Sequence, residues 1–158
     1  MRSVRSFIAV AILAGCAGTK APTLTVQPGL EGNTEIAALA AVEQWRQAME
    51  GRSLDGLAKL YVNDRRLVVV DQGRRQNGWS IVEPALREML ARVREVHVKL
   101  SELTAQQYGP SMLVHAAMAR EISDGTTTVT EAGILTLFFE RDSGAWRIVA
   151  QHFSYRSQ

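Results

Sequence analysis

The spacing of hydrophobic residues separates the chain into a helical half and a strand-rich half. Between residues 34 and 93, apolar residues recur every three to four positions in three stretches, which predicts three amphipathic helices. A β-branched run at residues 67–71 lies between the second and third stretches and is typical of a strand. The first half of the chain is therefore predicted to supply three helices and one strand.

Capping residues predict where these helices begin. Asn33 or Thr34 can cap the first helix, and Ser53 can cap the second. Ser80 and Glu83 have the spacing of a capping box for the third helix. The apolar sides of the first and third helices are predicted to start at their isoleucines and to comprise Ile36, Leu39, Val42, Trp45 and Met49, and Ile81, Ala85, Leu86, Met89, Leu90 and Val93.

After residue 96 the apolar period shortens to two, which predicts strands near residues 96–107, 112–122, 128–140 and 145–155. Gly and Asp-Gly or Ser-Gly turns separate them and are typical of hairpins. The element order predicts an α+β fold. We expect a curved antiparallel sheet of about five strands with the three helices on one face.

Both alternating sets of residues are mostly apolar in two of these strands, at residues 112–119 and 134–139. A sheet with one solvated face instead alternates apolar and polar residues. We therefore expect a homodimer in which the face without helices packs against a second copy. Burial of both faces within one chain and an apolar concave pocket are the alternatives.

The N-terminal residues have the layout of a secretion signal. Arg2 and Arg5 precede an apolar run, and the small residues Ala14 and Gly15 stand before the single cysteine, Cys16. This run is too short to span a bilayer as a permanent helix. Three segments are predicted: a signal peptide at 1–15, the cysteine with a Gly- and Pro-rich flexible tether at 16–33, and one folded domain at 34–158.

Residues 13–16, Leu-Ala-Gly-Cys, resemble the lipobox of bacterial lipoproteins. The resemblance implies that Cys16 is acylated after signal cleavage, so that membrane lipid is a partner and the protein is anchored in the cell envelope. In that family, an aspartate directly after the cysteine is what mainly retains a lipoprotein in the inner membrane. Ala17 stands there, so the resemblance also implies the periplasmic side of the outer membrane in a host with two membranes. An ordinary secretion signal followed by a chance cysteine is the alternative.

Loss of the signal also removes the apparent basic charge. The full chain has 18 Lys and Arg against 16 Asp and Glu, and two of the arginines lie in the signal. The remaining chain is therefore formally neutral. It has no dense basic run interleaved with aromatic residues, so no nucleic-acid partner is expected.

Three features of the folded part resemble one superfamily. They are Trp45 in the first helix, the pattern Leu57-x-x-Leu60-Tyr61, and the final strand at residues 146–154, Trp-Arg-Ile-Val-Ala-Gln-His-Phe-Ser. Together they resemble the nuclear-transport-factor-2-like superfamily and, within it, the SnoaL-like group. The resemblance implies a cone-shaped, cystatin-like roll with a pocket at its open end, commonly dimeric. Its members include isomerases, hydrolases, dehydratases and proteins without a known reaction, so the fold does not assign the function.

Candidate pocket residues follow from this expectation. His152 lies in phase with Trp146, Ile148 and Ala150, so it is predicted to share their face of the strand, where an imidazole could act as a base or orient a ligand. The favoured interpretation is a core histidine bonded to a carbonyl or to Ser154. The remaining candidates are aromatic, histidine and carboxylate side chains placed within helices or strands: Trp45, Tyr61, His115 and Glu131.

No complete catalytic set is recognisable in the sequence. It lacks a Gly-x-Ser-x-Gly elbow, histidines at metal-ligand spacing and a glycine loop for phosphate, so catalytic residues stay unassigned and neither a metal nor a cofactor is expected. The preferred hypothesis is a domain that binds a small apolar ligand. The alternatives are an envelope scaffold and an isomerase-, hydrolase- or dehydratase-type enzyme using a pocket histidine or carboxylate.

Overall fold

The computed structural model describes residues 25–26 and 32–157. The predicted signal, Cys16 and most of the tether lie outside the described residues, and so do the lipidation and envelope predictions that depend on them. None of the described helices has the length and hydropathy needed to cross a membrane.

Three helices occupy the first half of the described chain, as predicted. They are α1 (Gly32–Glu50), α2 (Leu54–Ala58) and α3 (Trp79–Arg92). Ser53 caps α2 as predicted, because its side chain accepts a hydrogen bond from the Gly56 N–H at 3.0 Å.

The strands form one curved, open sheet. After the two-residue β1 (Thr25–Val26), the strands are β2 (Val68–Asp71), β3 (Arg74–Asn77), β4 (Glu95–Tyr108), β5 (Ser111–Ser123), β6 (Thr128–Asp142) and β7 (Ala145–Ser157). Their spatial order is β1-β4-β5-β6-β7-β2-β3. The α+β class and the meander from β4 to β7 are confirmed.

The sheet differs from the prediction in two respects. It has six strands after residue 32, not five, because β3 pairs with β2. The sequence of β3 is Arg-Arg-Gln-Asn, which has no apolar alternation to reveal a strand. The sheet is also mixed, because β2 lies parallel to β7. A tight turn joins β2 to β3, and its residues Gln72 and Gly73 both have positive φ, as a type I′ hairpin requires.

The packing faces of two helices begin one residue away from the predicted position. Ile36 and Ile81 are 67% and 56% exposed, whereas Glu35 and Val82 are buried. The first turn of a helix lies at the edge of its contact with the sheet, so the tertiary position of the helix decides which residue there is covered. The predicted core residues Val42, Trp45, Met49 and Leu90 are buried.

The predicted capping box of α3 is wrong. Helix α3 starts one residue before Ser80, its N-cap is Gly78, and no side-chain cap bond forms. Gly78 has a φ of +81°, a conformation that suits glycine, and its N–H donates to the Leu67 carbonyl at 2.7 Å. The backbone connection after β3 therefore sets the start of the helix, and not the Ser80 hydroxyl.

Candidate functional site

A cavity of about 230 Å³ lies between α3, the β2–β3 hairpin and the inner face of β7. It is smaller than the roughly 300–1,000 Å³ of pockets for drug-sized molecules, which favours a small ligand. Apolar side chains from helices and sheet line part of it: Met49, Val69, Val82, Ala85, Leu86 and Met89. Polar side chains line the rest: Tyr61, Asp71, Gln72, Arg74, Gln76, Glu88, Arg92, Arg120 and Gln151.

A buried chain of hydrogen bonds ends at this cavity. Trp45 Nε1 donates to the Tyr61 hydroxyl at 2.9 Å, and that hydroxyl donates to Gln151 Oε1 at 2.5 Å. Burial raises the pKa of Tyr61 most strongly and the nearby Asp71 charge raises it further, whereas the hydrogen bond from Trp45 opposes the shift. Tyr61 is therefore a neutral phenol at physiological pH.

A second polar cluster joins three charged side chains. Arg120 Nε donates to Glu131 Oε2 at 2.8 Å, and Arg120 Nη2 lies 2.5 Å from the same oxygen. The Arg120 and Glu131 side chains are only 8% and 4% exposed. Arg120 Nη2 also lies 3.7 Å from Asp71 Oδ2. With Asp71 ionised, this cluster carries one net negative charge.

Aromatic rings complete the surroundings of the guanidinium. The Arg120 Cζ lies 4.9 Å from the centroid of the Phe153 ring and 5.6 Å from that of Tyr155. These distances are typical of cation–π contacts. Arg120 is thus fixed by a carboxylate on one strand and by two rings on another, and its guanidinium has little freedom to follow a ligand.

Asp71 is the exceptional member of the cluster. Its Oδ1 atom is buried and has no hydrogen-bond partner among the described residues. Burial raises the pKa of Asp71 above its usual value; Arg120 opposes this effect and Glu131 adds to it. Asp71 lines the cavity at the end of β2. Its side chain is 42% exposed, so the Asp71 carboxylate reaches the cavity while one of its two oxygens has no hydrogen-bond partner within the described chain.

The structure places three of the sequence-predicted residues near the cavity. Tyr61 lines it directly, and Trp45 lies behind Tyr61 as its hydrogen-bond donor. Glu131 lies behind Arg120 and also accepts from Gln72 Nε2 at 3.4 Å. Trp45 and Glu131 therefore position residues that line the cavity and do not line it themselves.

The two predicted histidines are exposed on the other face of the sheet. His115 Nδ1 lies 3.0 Å from Thr136 Oγ1, and His152 pairs with Thr136 across β6 and β7. The predicted phase of His152 is wrong because β7 contains a bulge at Val149: Phe139 pairs with Ile148, but Phe138 pairs with Ala150. The extra residue reverses the alternation, so that Gln151 faces inward and His152 outward.

Asp71, Arg120 and Gln151 are among the cavity residues that were not predicted from the sequence. Arg120 had a usable signal, because it continues the inward-facing alternation of β5 after Ala116 and Met118. A charged residue in a buried phase is uncommon without a partner. Asp71 ends the β-branched run at residues 67–71, and that run carries no signal for a cavity residue. Gln151 was hidden by the bulge.

The geometry also bears on metal and cofactor binding. Within the described residues, no three His, Cys, Asp or Glu side chains converge as metal ligands. The Glu131 oxygens already accept from Arg120 and Gln72. The chemistry that the cavity offers is hydrogen bonding at Asp71 and Gln151, with proton exchange at Asp71 alone.

Comparison with known proteins gives the family. A family model for the SnoaL-like domain matches residues 38–157. The chain belongs to the SnoaL-like domain family. No sequence match was found among curated proteins.

Solved structures show the same fold at low sequence identity. One protein from Streptomyces avermitilis, proposed to be a dehydratase of the NTF2-like family, has a TM-score of 0.70 at 17% identity and covers 77% of this chain and 95% of its own. A nuclear transport factor 2-like superfamily protein from Salmonella enterica has a TM-score of 0.69 at 14% identity, covering 79% and 91%. A protein proposed to be a scytalone dehydratase, from Novosphingobium aromaticivorans, has a TM-score of 0.70 at 13% identity, covering 80% and 86%.

Proposed function

We propose that this SnoaL-like domain binds a small ligand in the cavity, with an apolar body against the methionine and valine walls and a hydrogen-bond donor facing Asp71. The observation that carries this proposal is the buried Asp71 Oδ1, which has no partner among the described residues. A buried acceptor without a partner is unfavourable. The Asp71 side chain is 42% exposed at the cavity wall, so a ligand donor that reaches this carboxylate can supply the missing partner.

The cavity itself supports a binding function over a scaffold function. A scaffold has no need of an internal cavity, whereas this domain keeps about 230 Å³ open beside its polar cluster. The apolar walls supply the hydrophobic contacts that hold a small ligand, and Asp71 and Gln151 supply polar contacts that orient it.

A proton-transfer enzyme of isomerase or dehydratase type is the second candidate. The raised pKa of Asp71 supports it, because a carboxylate with a pKa nearer neutrality is a better proton carrier. Two of the structurally similar proteins are proposed to be dehydratases. Retained ligand affinity with lost turnover in an Asp71→Asn variant would favour this candidate over simple binding.

Asp71→Asn is expected to weaken the binding of cyclohexylamine, a probe with an apolar ring and a cationic donor, by at least about tenfold. The loss follows because asparagine removes the negative charge of a partly exposed carboxylate that lines the cavity. Titration followed by NMR of the Met49 and Met89 methyl groups measures it. Glu121→Gln on the same sheet is the control, because Glu121 is exposed and does not line the cavity. No binding to the unmodified protein would contradict the proposed function.

The same variant is expected to melt at a higher temperature than the unmodified protein at pH 7. Because burial raises the folded-state pKa of Asp71, the folded state binds more protons than the unfolded state between the two pKa values. Stability is therefore lost as pH rises through this window, and asparagine removes the loss. The difference in melting temperature between Asp71→Asn and the unmodified protein should narrow as pH falls toward 4. A difference that widens would contradict a raised pKa of Asp71 in the folded state.

We also propose that the protein is anchored in the envelope through acylated Cys16. The lipobox-like residues 13–16, which follow Arg2, Arg5 and an apolar run, support this proposal. Cys16→Ser is expected to abolish palmitate labelling and to move the protein from the membrane to the soluble fraction. Continued labelling and membrane fractionation of that variant would contradict it.

The homodimer is proposed through the outer face of β5, β6 and β7. Ile134 is 50% exposed there and pairs with the partly exposed Ala117 of β5. Ile134→Lys is expected to convert a dimer to a monomer in equilibrium sedimentation at tens of micromolar, roughly where standard interfaces hold. Ile81→Lys, on an exposed helix position, should leave it dimeric. A monomeric unmodified domain would contradict the proposal.

A further inference from the structure

The hydrogen-bond chain from Trp45 to Gln151 has only one direction in which every buried group is satisfied. An indole N–H donates and cannot accept, so the Tyr61 oxygen must accept from Trp45. The Tyr61 proton then needs an acceptor, and Gln151 Oε1 at 2.5 Å provides it. Tyr61 is 2% exposed. A reversed Gln151 amide would leave that proton without an acceptor among the described residues.

This direction fixes what Gln151 presents to the cavity. Its carbonyl oxygen is held by Tyr61, so the two N–H donors on Nε2 remain for other partners. No described group takes them, and Gln151 lines the cavity. Gln151, whose amide can in principle donate or accept, is therefore a donor toward the cavity.

The strand register brings this donor beside the free acceptor. Val69 pairs with Gln151 and Asp71 pairs with Phe153 in the parallel β2–β7 ladder. Asp71 and Gln151 are therefore diagonal neighbours on one face, with backbones roughly 7–8 Å apart. A small polar group between them can accept from Gln151 Nε2 and donate to the partly exposed Asp71 carboxylate at the same time.

Resting on the proposed function, we propose that the ligand of this cavity is an uncharged lactam or carboxamide, in which a carbonyl acceptor adjoins an N–H donor. The carbonyl accepts from Gln151, and the N–H donates to Asp71. An ionised carboxylate has no N–H or O–H donor for Asp71, so it fits this place less well than a lactam or carboxamide does.

A matched pair of six-membered rings tests this assignment. δ-Valerolactam carries the carbonyl and the N–H, whereas δ-valerolactone carries only the carbonyl. The lactam is expected to bind at least tenfold more tightly in an NMR titration, and to shift the Gln151 side-chain amide resonances. Equal affinity of the two rings, or unmoved Gln151 amide resonances at saturating lactam, would overturn the inference.

Gln151→Glu tests the contribution of the Gln151 N–H donors alone. Glutamate keeps an acceptor for the Tyr61 hydroxyl and loses both N–H donors. We expect the lactam affinity to fall at least tenfold, with cyclohexylamine affinity unchanged or higher. An unchanged lactam affinity overturns the inference.

A second variant, Tyr61→Phe, tests the same inference if Gln151→Glu folds poorly. Tyr61→Phe frees the Gln151 amide to rotate, and it should weaken the binding of both rings, because both carry the carbonyl that accepts from Gln151; unchanged affinity for both rings also overturns the assignment. Cyclohexylamine binding shows whether only this inference has failed or the proposed function has failed as well. If it binds the unmodified protein and the lactam has no advantage, only this inference fails; if it does not bind, the proposed function fails.

Discussion

Replacing Arg120 with methionine is expected to lower the free energy of unfolding by about 3–5 kcal/mol, the usual loss when one partner of a buried ion pair is removed. Glu131 would remain buried with its negative charge unpaired, because its ion pair is formed by Arg120 Nε and Nη2. The rings of Phe153 and Tyr155 would also lose their cation. Urea unfolding at pH 7 measures the change.

An exposed ion pair provides the matched control. Arg87 and Glu83 lie one turn apart on α3, with side chains 65% and 34% exposed, so Arg87→Met should cost at most about 0.5 kcal/mol. Adding Glu131→Leu to Arg120→Met should recover much of the stability, because it removes the unpaired charge. Similar losses for Arg87→Met and Arg120→Met would contradict the assigned role of the buried pair.

Gly133→Ala is expected to destabilise the domain by about 3 kcal/mol or more, at the upper end of overpacking effects. Gly133 of β6 pairs with Tyr155 of β7 in the antiparallel ladder of these two strands. A Cβ at Gly133 would overlap the Ser154 carbonyl oxygen and lie 2.6 Å from the Tyr155 Cα. These are backbone atoms, so the strand itself must move. Thermal and urea unfolding measure the loss.

Gly109→Ala separates steric overlap from backbone strain. Gly109 has a φ of +56°, and a Cβ there would have no neighbour within 4 Å. Its replacement should cost only about 1–2 kcal/mol, the strain of a left-handed residue. Gly133→Ala must therefore be the more harmful change; the reverse order would show that β6 and β7 separate easily at this point.

The two periodicities of the sequence predicted most of the architecture. The β4–β7 meander was recognisable because apolar residues alternate along it and turn residues end each strand. The three helices were recognisable from their apolar stripes. The strand β3 was not, since it carries no apolar residue and forms through its backbone pairing with β2.

The candidate site was less accessible to sequence reasoning. Tyr61 was selected from its place in a family-like pattern, and Glu131 was selected as a carboxylate within a strand. The choice of His152 failed, because a bulge adds one residue to β7 and reverses the inward and outward positions beyond it. Nothing in the local sequence at Val149 distinguishes a bulged strand from a regular one.

The sequence by itself determined the α+β class, the order of helices and hairpins, and most of the buried positions, because hydrophobic periodicity and turn chemistry act over a few neighbouring residues. Only the tertiary structure decided which polar side chains meet. Asp71 on β2, Arg120 on β5 and Gln151 on β7 are far apart in the chain and converge through the parallel β2–β7 pairing and the bulge at Val149. Strand register is set by contacts across the whole sheet, and a shift of one residue changes which side chains face the cavity.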